Sequence, residues 1–152
     1  MDTFETLKKR LGDIPFFCEF TIDEMEHVHN NGFFKIFKPG DYIIREGGVD
    51  RTLFVLVSGD VKVTKQSQPE SVLATLRPGD IFGEIAFVAR QMRTTNVIAI
   101  TKSLVFQLEE KRFSVLPPEM KVKVQQQAVK LLMSRLEAIK RATGCQVSRG
   151  SP

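Results

Sequence analysis

The residues best suited to chemistry lie in one short stretch, Phe82-Gly83-Glu84-Ile85-Ala86-Phe87, continued by Arg93-Thr94-Thr95-Asn96-Val97. An ionised Glu84 can accept from paired hydroxyls, such as those of a ribose. Arg93 can grip a phosphate with its planar fork of donors. A short helix opening at Gly83 would aim free backbone N–H groups at the same anion. Together these groups suit a sugar phosphate held in a small basket. The same two side chains would equally serve as a structural ion pair. No nucleophile–base pair, metal-ligand cluster or spaced carboxylates suited to hydrolysis can be picked out, so no catalytic residue and no metal is expected. His27 and His29 flank Val28 without a Cys or carboxylate at ligand spacing, and read as ordinary helix residues.

Composition bounds what can position such a basket. The 152 residues suit one domain or a domain with an extension, and a 42% hydrophobic share is enough for a core. Charge is uneven: residues 1–101 carry 12 Lys and Arg against 14 Asp and Glu, and residues 102–152 carry 10 against 4. The basic C-terminal segment fits nucleic acid, an acidic partner or, more simply, a solvated helix face. Two cysteines, Cys18 and Cys145, lack metal or redox spacing and read as free thiols. The N-terminus has no signal-peptide pattern and no apolar run approaches membrane-spanning length, so a cytoplasmic protein is expected.

The periodicity places a helix over Thr3–Leu11, an apolar turn at Ile14-Pro15-Phe16-Phe17, and a second helix from the capping box Thr21-Ile22-Asp23-Glu24. Strands follow at Phe33–Phe37, Tyr42–Arg45, Leu53–Val57, Val61–Thr64, Val72–Leu76, Val97–Ile100 and Ser103–Leu108. Pro39-Gly40-Asp41, Ser58-Gly59-Asp60 and Pro78-Gly79-Asp80 supply the turns. This spacing predicts a mainly β fold with helical flanks, closed as a double-stranded β-helix or jelly-roll barrel. A short helix over Glu109–Leu116, the breaker Pro117-Pro118 and a long helix over Glu119–Ala142 complete the chain. The expected organisation is a helical segment at 1–31, a β-roll at 32–108 holding the 82–96 stretch, C-terminal helices at 109–143 and a flexible tail at 144–152. Val122, Val129 and Leu136 recur every seven residues on the long helix, with Gln125, Leu132 and Ile139 as companions. That face fits either a homodimer or packing within the chain.

These residues resemble the cyclic nucleotide-binding domain family, as found in cyclic AMP receptor proteins, cyclic nucleotide-dependent kinases and cyclic nucleotide-gated channels. The resemblance covers roughly residues 10 to 140. It is carried by Ile14-Pro15-Phe16-Phe17, by Phe37-Lys38-Pro39-Gly40-Asp41-Tyr42-Ile43-Ile44-Arg45-Glu46-Gly47, by Leu53–Gly59, by Pro78-Gly79-Asp80 and by Phe82–Asn96.

The resemblance implies a ligand, cyclic AMP first and cyclic GMP as the other choice, and no further cofactor. It makes Phe82, Gly83 and Glu84 the ribose end, with Glu84 receiving the 2′-hydroxyl, and Ile85 and Ala86 part of the anion cradle. Arg93 resembles the arginine that pairs with the cyclic phosphate. Thr94 offers its amide and hydroxyl, a choice that permits cyclic GMP, and Thr95 offers its backbone. Val72 and Leu73 are candidates for the wall near the base. Met120, Val124, Leu131, Leu132 and Leu136 are candidates for a lid or dimer helix. Arg90 and Met92 depart from the glycine and proline common in the family. The expected role is sensing: the ligand closes the Phe82–Asn96 loop and the C-terminal helices shift, acting on an effector protein or on further domains of a bacterial-type regulator. A ligand-free scaffold and a nucleic-acid binder using the long helix are the alternatives.

Overall fold

The computed structural model describes residues 13–83 and 91–143. The helix expected at Thr3–Leu11 lies outside the described residues, as does the 144–152 tail.

Ile14-Pro15-Phe16-Phe17 turns as a single 3-10 helix at Pro15–Phe17. Phe16, Phe17 and Phe20 are buried together, with ring centroids 4.9 to 6.0 Å apart. Phe17 also meets Phe106 edge-on at 6.5 Å, which fastens this segment to the sheet. Helix α1 (Ile22–Asn31) begins with the capping box: Glu24 N–H donates to Thr21 Oγ1 at 3.2 Å and Thr21 N–H to Glu24 Oε1 at 2.9 Å. Two of the donors that a helix start leaves without partners are thereby satisfied.

Eight strands follow among the described residues: β1 (Phe33–Phe37), β2 (Tyr42–Ile44), β3 (Leu53–Ser58), β4 (Val61–Thr64), β5 (Ala74–Leu76), β6 (Ile81–Phe82), β7 (Asn96–Ala99) and β8 (Ser103–Leu108). They form two antiparallel four-stranded sheets, ordered β1-β8-β3-β6 and β2-β7-β4-β5. Two turns are closed identically. Asp41 Oδ2 accepts from Lys38 N–H at 2.8 Å, and Asp80 Oδ2 from Arg77 N–H at 2.9 Å. In each, the aspartate side chain mimics a backbone turn, which is why Pro-Gly-Asp recurs.

The expected jelly-roll barrel is not what forms. Among the described residues neither sheet closes on itself and no strand is shared between them. Closure needs edge strands long enough to pair across the seam with a consistent tilt and stagger. Here β2 and β5 have three residues each and β6 has two, so β2 and β5, and β1 and β6, remain edges.

The sheets bury a shared cluster that includes Phe37, Phe54, Leu56, Phe82 and Val105 from the first and Ile44, Val61, Val97 and Ala99 from the second. The first sheet is apolar on its other face too. There Leu53, Val55, Ile81, Phe106 and Leu108 pack with the aromatic turn, with Met25 and Val28 of α1, and with the C-terminal helices. The unbroken run Leu53-Phe54-Val55-Leu56 therefore makes a strand covered on both sides.

Helix α2 (Glu110–Phe113) is short, and α3 (Pro118–Thr143) follows directly, with Pro118 in its first turn. Met120, Val124 and Ala128 are buried in the helical core. Lys123 Nζ reaches Glu24 at 2.6 Å, so the carboxylate that caps α1 also ties it to α3.

Candidate functional site

Arg93 is the best-held polar side chain of the expected cassette, only 5% exposed. Its backbone is clamped first: Arg93 N–H donates to Gly48 O at 2.8 Å, and Gly47 N–H to Arg93 O at 2.8 Å. Three residues on, the buried Asn96 accepts from Glu46 N–H at 2.8 Å. The Glu46-Gly47-Gly48 turn thus holds both Arg93 and the start of β7.

The guanidinium is oriented by three groups. Nε and one Nη donate to Asp50 at 3.3 and 2.9 Å, that Nη donates to the Thr52 carbonyl at 2.7 Å, and the other Nη donates to the Gly83 carbonyl at 2.9 Å. These bonds use four of the five guanidinium N–H groups. Arg93 also lies 5.6 Å from the Phe54 ring centroid, and Phe54 stacks on Phe82 at 5.1 Å. Burial alone would raise the Asp50 pKa. The hydrogen bond and charge of Arg93, with the Thr52 amide, outweigh it and hold the carboxyl below the usual range. The cation is therefore built in as one half of an ion pair, aimed before any ligand arrives.

Gly83 stands against this arginine with φ +80. A Cβ built there would lie 2.9 Å from an Arg93 Nη, from the Phe54 ring and from the Thr52 carbonyl. Only glycine fits so close an approach.

Arg93, Gly83, Phe82, Thr94 and Thr95 form one side of a cavity of about 480 Å³. Ile44, Val63, Ala74, Leu76 and Val97 form the sheet side, and Leu132, Arg135, Leu136, Ala138 and Ile139 of α3 lie across it. Ile44, Phe82 and Val97 also belong to the inter-sheet core, so the cavity continues that core outward. Arg135 donates to the Ile81 carbonyl, linking α3 to the strand that enters the cassette. The cavity thus has a cationic, hydroxyl-bearing end and a long aliphatic wall. That suits a flat apolar ring carrying a small anion.

The residues expected from the sequence divide accordingly. Phe82, Gly83, Arg93, Thr94 and Thr95 meet at the cavity. Glu84, Ile85, Ala86 and Arg90 lie outside the described residues. Val72 and Leu73 are half exposed and outside the lining, and Ala74 and Leu76 supply that wall. Of the lid candidates, Met120 and Val124 are core residues and Leu131 packs beside them, while Leu132 and Leu136 face the cavity. Sequence reasoning passed over Asp50, because nothing local marks a partner 43 positions from its arginine. Arg135 was findable: it sits at i+3 from Leu132 and one residue before Leu136, on the same helix face. Among the described residues, no cluster of three or more His, Cys, Asp or Glu could hold a metal, and no helix is long and apolar enough to cross a membrane.

Two sheets with flanking helices carry a cavity that has an oriented guanidinium at one end and an aliphatic wall, the form of a small-ligand-binding domain. Residues 34–116 match the family model described as "Cyclic nucleotide-binding domain", more than half of the chain. The chain belongs to the cyclic nucleotide-binding domain family. It is 43% identical over 67 residues to human cGMP-dependent protein kinase 2, a match covering 41% of this chain and 9% of the kinase. It is 31% identical over 107 residues to the human potassium/sodium hyperpolarization-activated cyclic nucleotide-gated channel 4, covering 70% of this chain and 9% of the channel. A cyclic nucleotide-binding domain from Methylobacillus flagellatus KT superposes with a TM-score of 0.78 at 19% identity, covering 91% of this chain and 81% of that one. The matched family model is that of a binding domain.

Proposed function

We propose that the chain senses a cyclic nucleotide at the Arg93 cavity and converts its binding into movement of α2 and α3. The carrying observation is Arg93 itself: a buried, fully oriented guanidinium on the wall of an otherwise apolar cavity. The cyclic phosphate sits at the Arg93–Gly83 end, where one guanidinium N–H remains beyond the four bonds made among the described residues. By the family resemblance, Glu84 is assigned to the ribose hydroxyl and the Ile85 and Ala86 amides to the phosphate. The purine lies along the aliphatic wall beneath Leu132 and Leu136. Cyclic AMP is the first choice. Thr94, and the likeness to a kinase named for cyclic GMP, keep cyclic GMP as the other.

Ligand contact with both the cassette and α3 gives the nucleotide a differential affinity for one helix position, which is what a population shift requires. The Arg135 contact with Ile81 and the buried Phe113 and Leu116 set these helices against the sheet whose β6 leads into the cassette. The output passes to an effector protein or to further domains, and the outer face of α3, with Val122, Val129 and Met133 exposed, is available for a second copy.

Parallel titration with cyclic AMP, cyclic GMP and adenosine, read by heat of binding and melting temperature, tests this reading. A cyclic nucleotide should bind and stabilise, and adenosine should not. No response to either cyclic nucleotide at millimolar concentration would overturn it. One observation favours a second reading, an interaction scaffold without ligand: the Asp50, Thr52 and Gly83 contacts already give Arg93 a structural task. That null titration is the result the scaffold predicts.

A further inference from the structure

Among the described residues, the Arg93 cavity is lined by one sulfur, that of Met92. The chain has five methionines. Met25 and Met120 are buried at 5% and 2% exposure, whereas Met92 and Met133 are exposed at 61% and 62%. Of these two, Met92 alone lines the cavity, directly before Arg93, whereas Met133 lies on the outer face of α3 with Glu19, Val122 and Val129. A thioether so placed is open to a dissolved oxidant and still lines the same cavity as Val97 and Leu136.

We propose that Met92 is a redox modification site through which hydrogen peroxide, or another two-electron oxygen donor, weakens ligand binding. The inference rests on the cyclic nucleotide reading above. In the chemical step the Met92 Sδ lone pair attacks the distal peroxide oxygen. The O–O bond breaks, an S=O bond forms, the sulfur is oxidised by two electrons and the peroxide leaves as water. A thiol-dependent methionine sulfoxide reductase reverses the step. The product replaces an apolar, polarizable group by a strong hydrogen-bond acceptor. Bound ligand would cover that acceptor against an aliphatic wall, which disfavours the bound state. The backbone clamp between Arg93 and Gly48 holds the following residue, so the Met92 backbone stays beside the cavity.

The test uses the full chain with Cys18→Ser and Cys145→Ser, so that thiol oxidation does not contribute. Mild hydrogen peroxide is followed by peptide mass spectrometry and by titration with cyclic AMP and cyclic GMP before and after treatment. Oxidation is expected at Met92 and Met133 ahead of Met25 and Met120, with affinity falling about tenfold. Met92→Leu should lose the sensitivity when compared with its own affinity before treatment, Met133→Leu should keep it, and the reductase should restore binding to the oxidised parent. Unchanged affinity with Met92 fully converted to sulfoxide would overturn the proposal, as would equal sensitivity in Met92→Leu. Absence of binding before any treatment would instead overturn the cyclic nucleotide reading.

Discussion

Replacing Gly83 by alanine tests whether the arginine is held as tightly as the geometry says. Two costs are separable. The first is backbone: at φ +80 an L side chain meets its own carbonyl, a penalty of about 1–2 kcal/mol. The second is contact. The new Cβ would sit 2.9 Å from the Thr52 carbonyl, the Phe54 ring and an Arg93 Nη. The carbonyl belongs to the backbone entering β3, and Phe54 is 3% exposed and stacked on Phe82. Arg93 is the group able to yield. Yielding breaks its bond to the Gly83 carbonyl and leaves buried polar atoms short of partners, about 1–3 kcal/mol more. Gly79 provides the control. Its φ is +98, yet nothing lies within 4 Å of a Cβ built there. Gly79→Ala should therefore cost only the backbone share, about 1–2 kcal/mol, and Gly83→Ala about 2–5 kcal/mol. Urea unfolding of both variants measures the difference, and nucleotide titration should show lost affinity in Gly83→Ala alone. Equal destabilisation of the two variants would refute the claim that Gly83 and Arg93 form one tightly packed unit.

Other expectations follow from neighbouring contacts. Arg93→Lys keeps the charge but loses the planar fork, and should weaken cyclic nucleotide binding at least about tenfold while adenosine remains unbound by either protein. Val124→Ala, in the helical core, should lower stability by about 2 kcal/mol in urea unfolding and leave binding nearly intact. Leu136→Ala, half exposed over the cavity, should do the reverse, with a stability change below about 0.5 kcal/mol and about fivefold weaker binding. The hydrogen bond from Lys123 and the backbone amide of Thr21 lower the folded-state pKa of Glu24 below its ordinary 4.5. Its stabilising share is therefore present above that value and lost as pH falls through the lowered folded pKa. Lys123→Met should thus be less stable than the parent at neutral pH, by about 1 kcal/mol or less, with the gap narrowing in urea midpoints taken near about pH 3.

Local structure was legible wherever one short segment determines it. The Thr21–Glu24 capping box forms as its spacing implies, and Phe33–Phe37, Val61–Thr64 and Ser103–Leu108 form strands with the expected bounds. Boundaries moved where hydrogen bonding ends before apolarity does: Val72 and Leu73 are strand-like in composition, but β5 begins at Ala74. The two-residue β6 could not be read, because Ile81 and Phe82 owe their extended state to pairing with Val55 and Phe54. Sheet closure is a property of edge pairing across the whole sheet, and local alternation carries no information about it. The cassette glycine, arginine and threonines were legible as chemistry. Asp50, the Thr52 carbonyl and the α3 wall were not, since each depends on contacts made across the fold.

Strand β3 has a consequence beyond packing. Leu53 and Val55 point into the helical layer, whereas Phe54 and Leu56 point between the sheets, and the Thr52 carbonyl just ahead of the strand holds Arg93. The partition at β3 between the helical layer and the inter-sheet core beside Arg93 is therefore a single backbone thick. A helix that slides on Leu53 or Val55 presses on the same chain that carries the Phe54 ring beneath the arginine. Under the proposed sensing role, signal and site would share one wall, so a message from one to the other has no distance to travel along the sequence, only a thickness to cross.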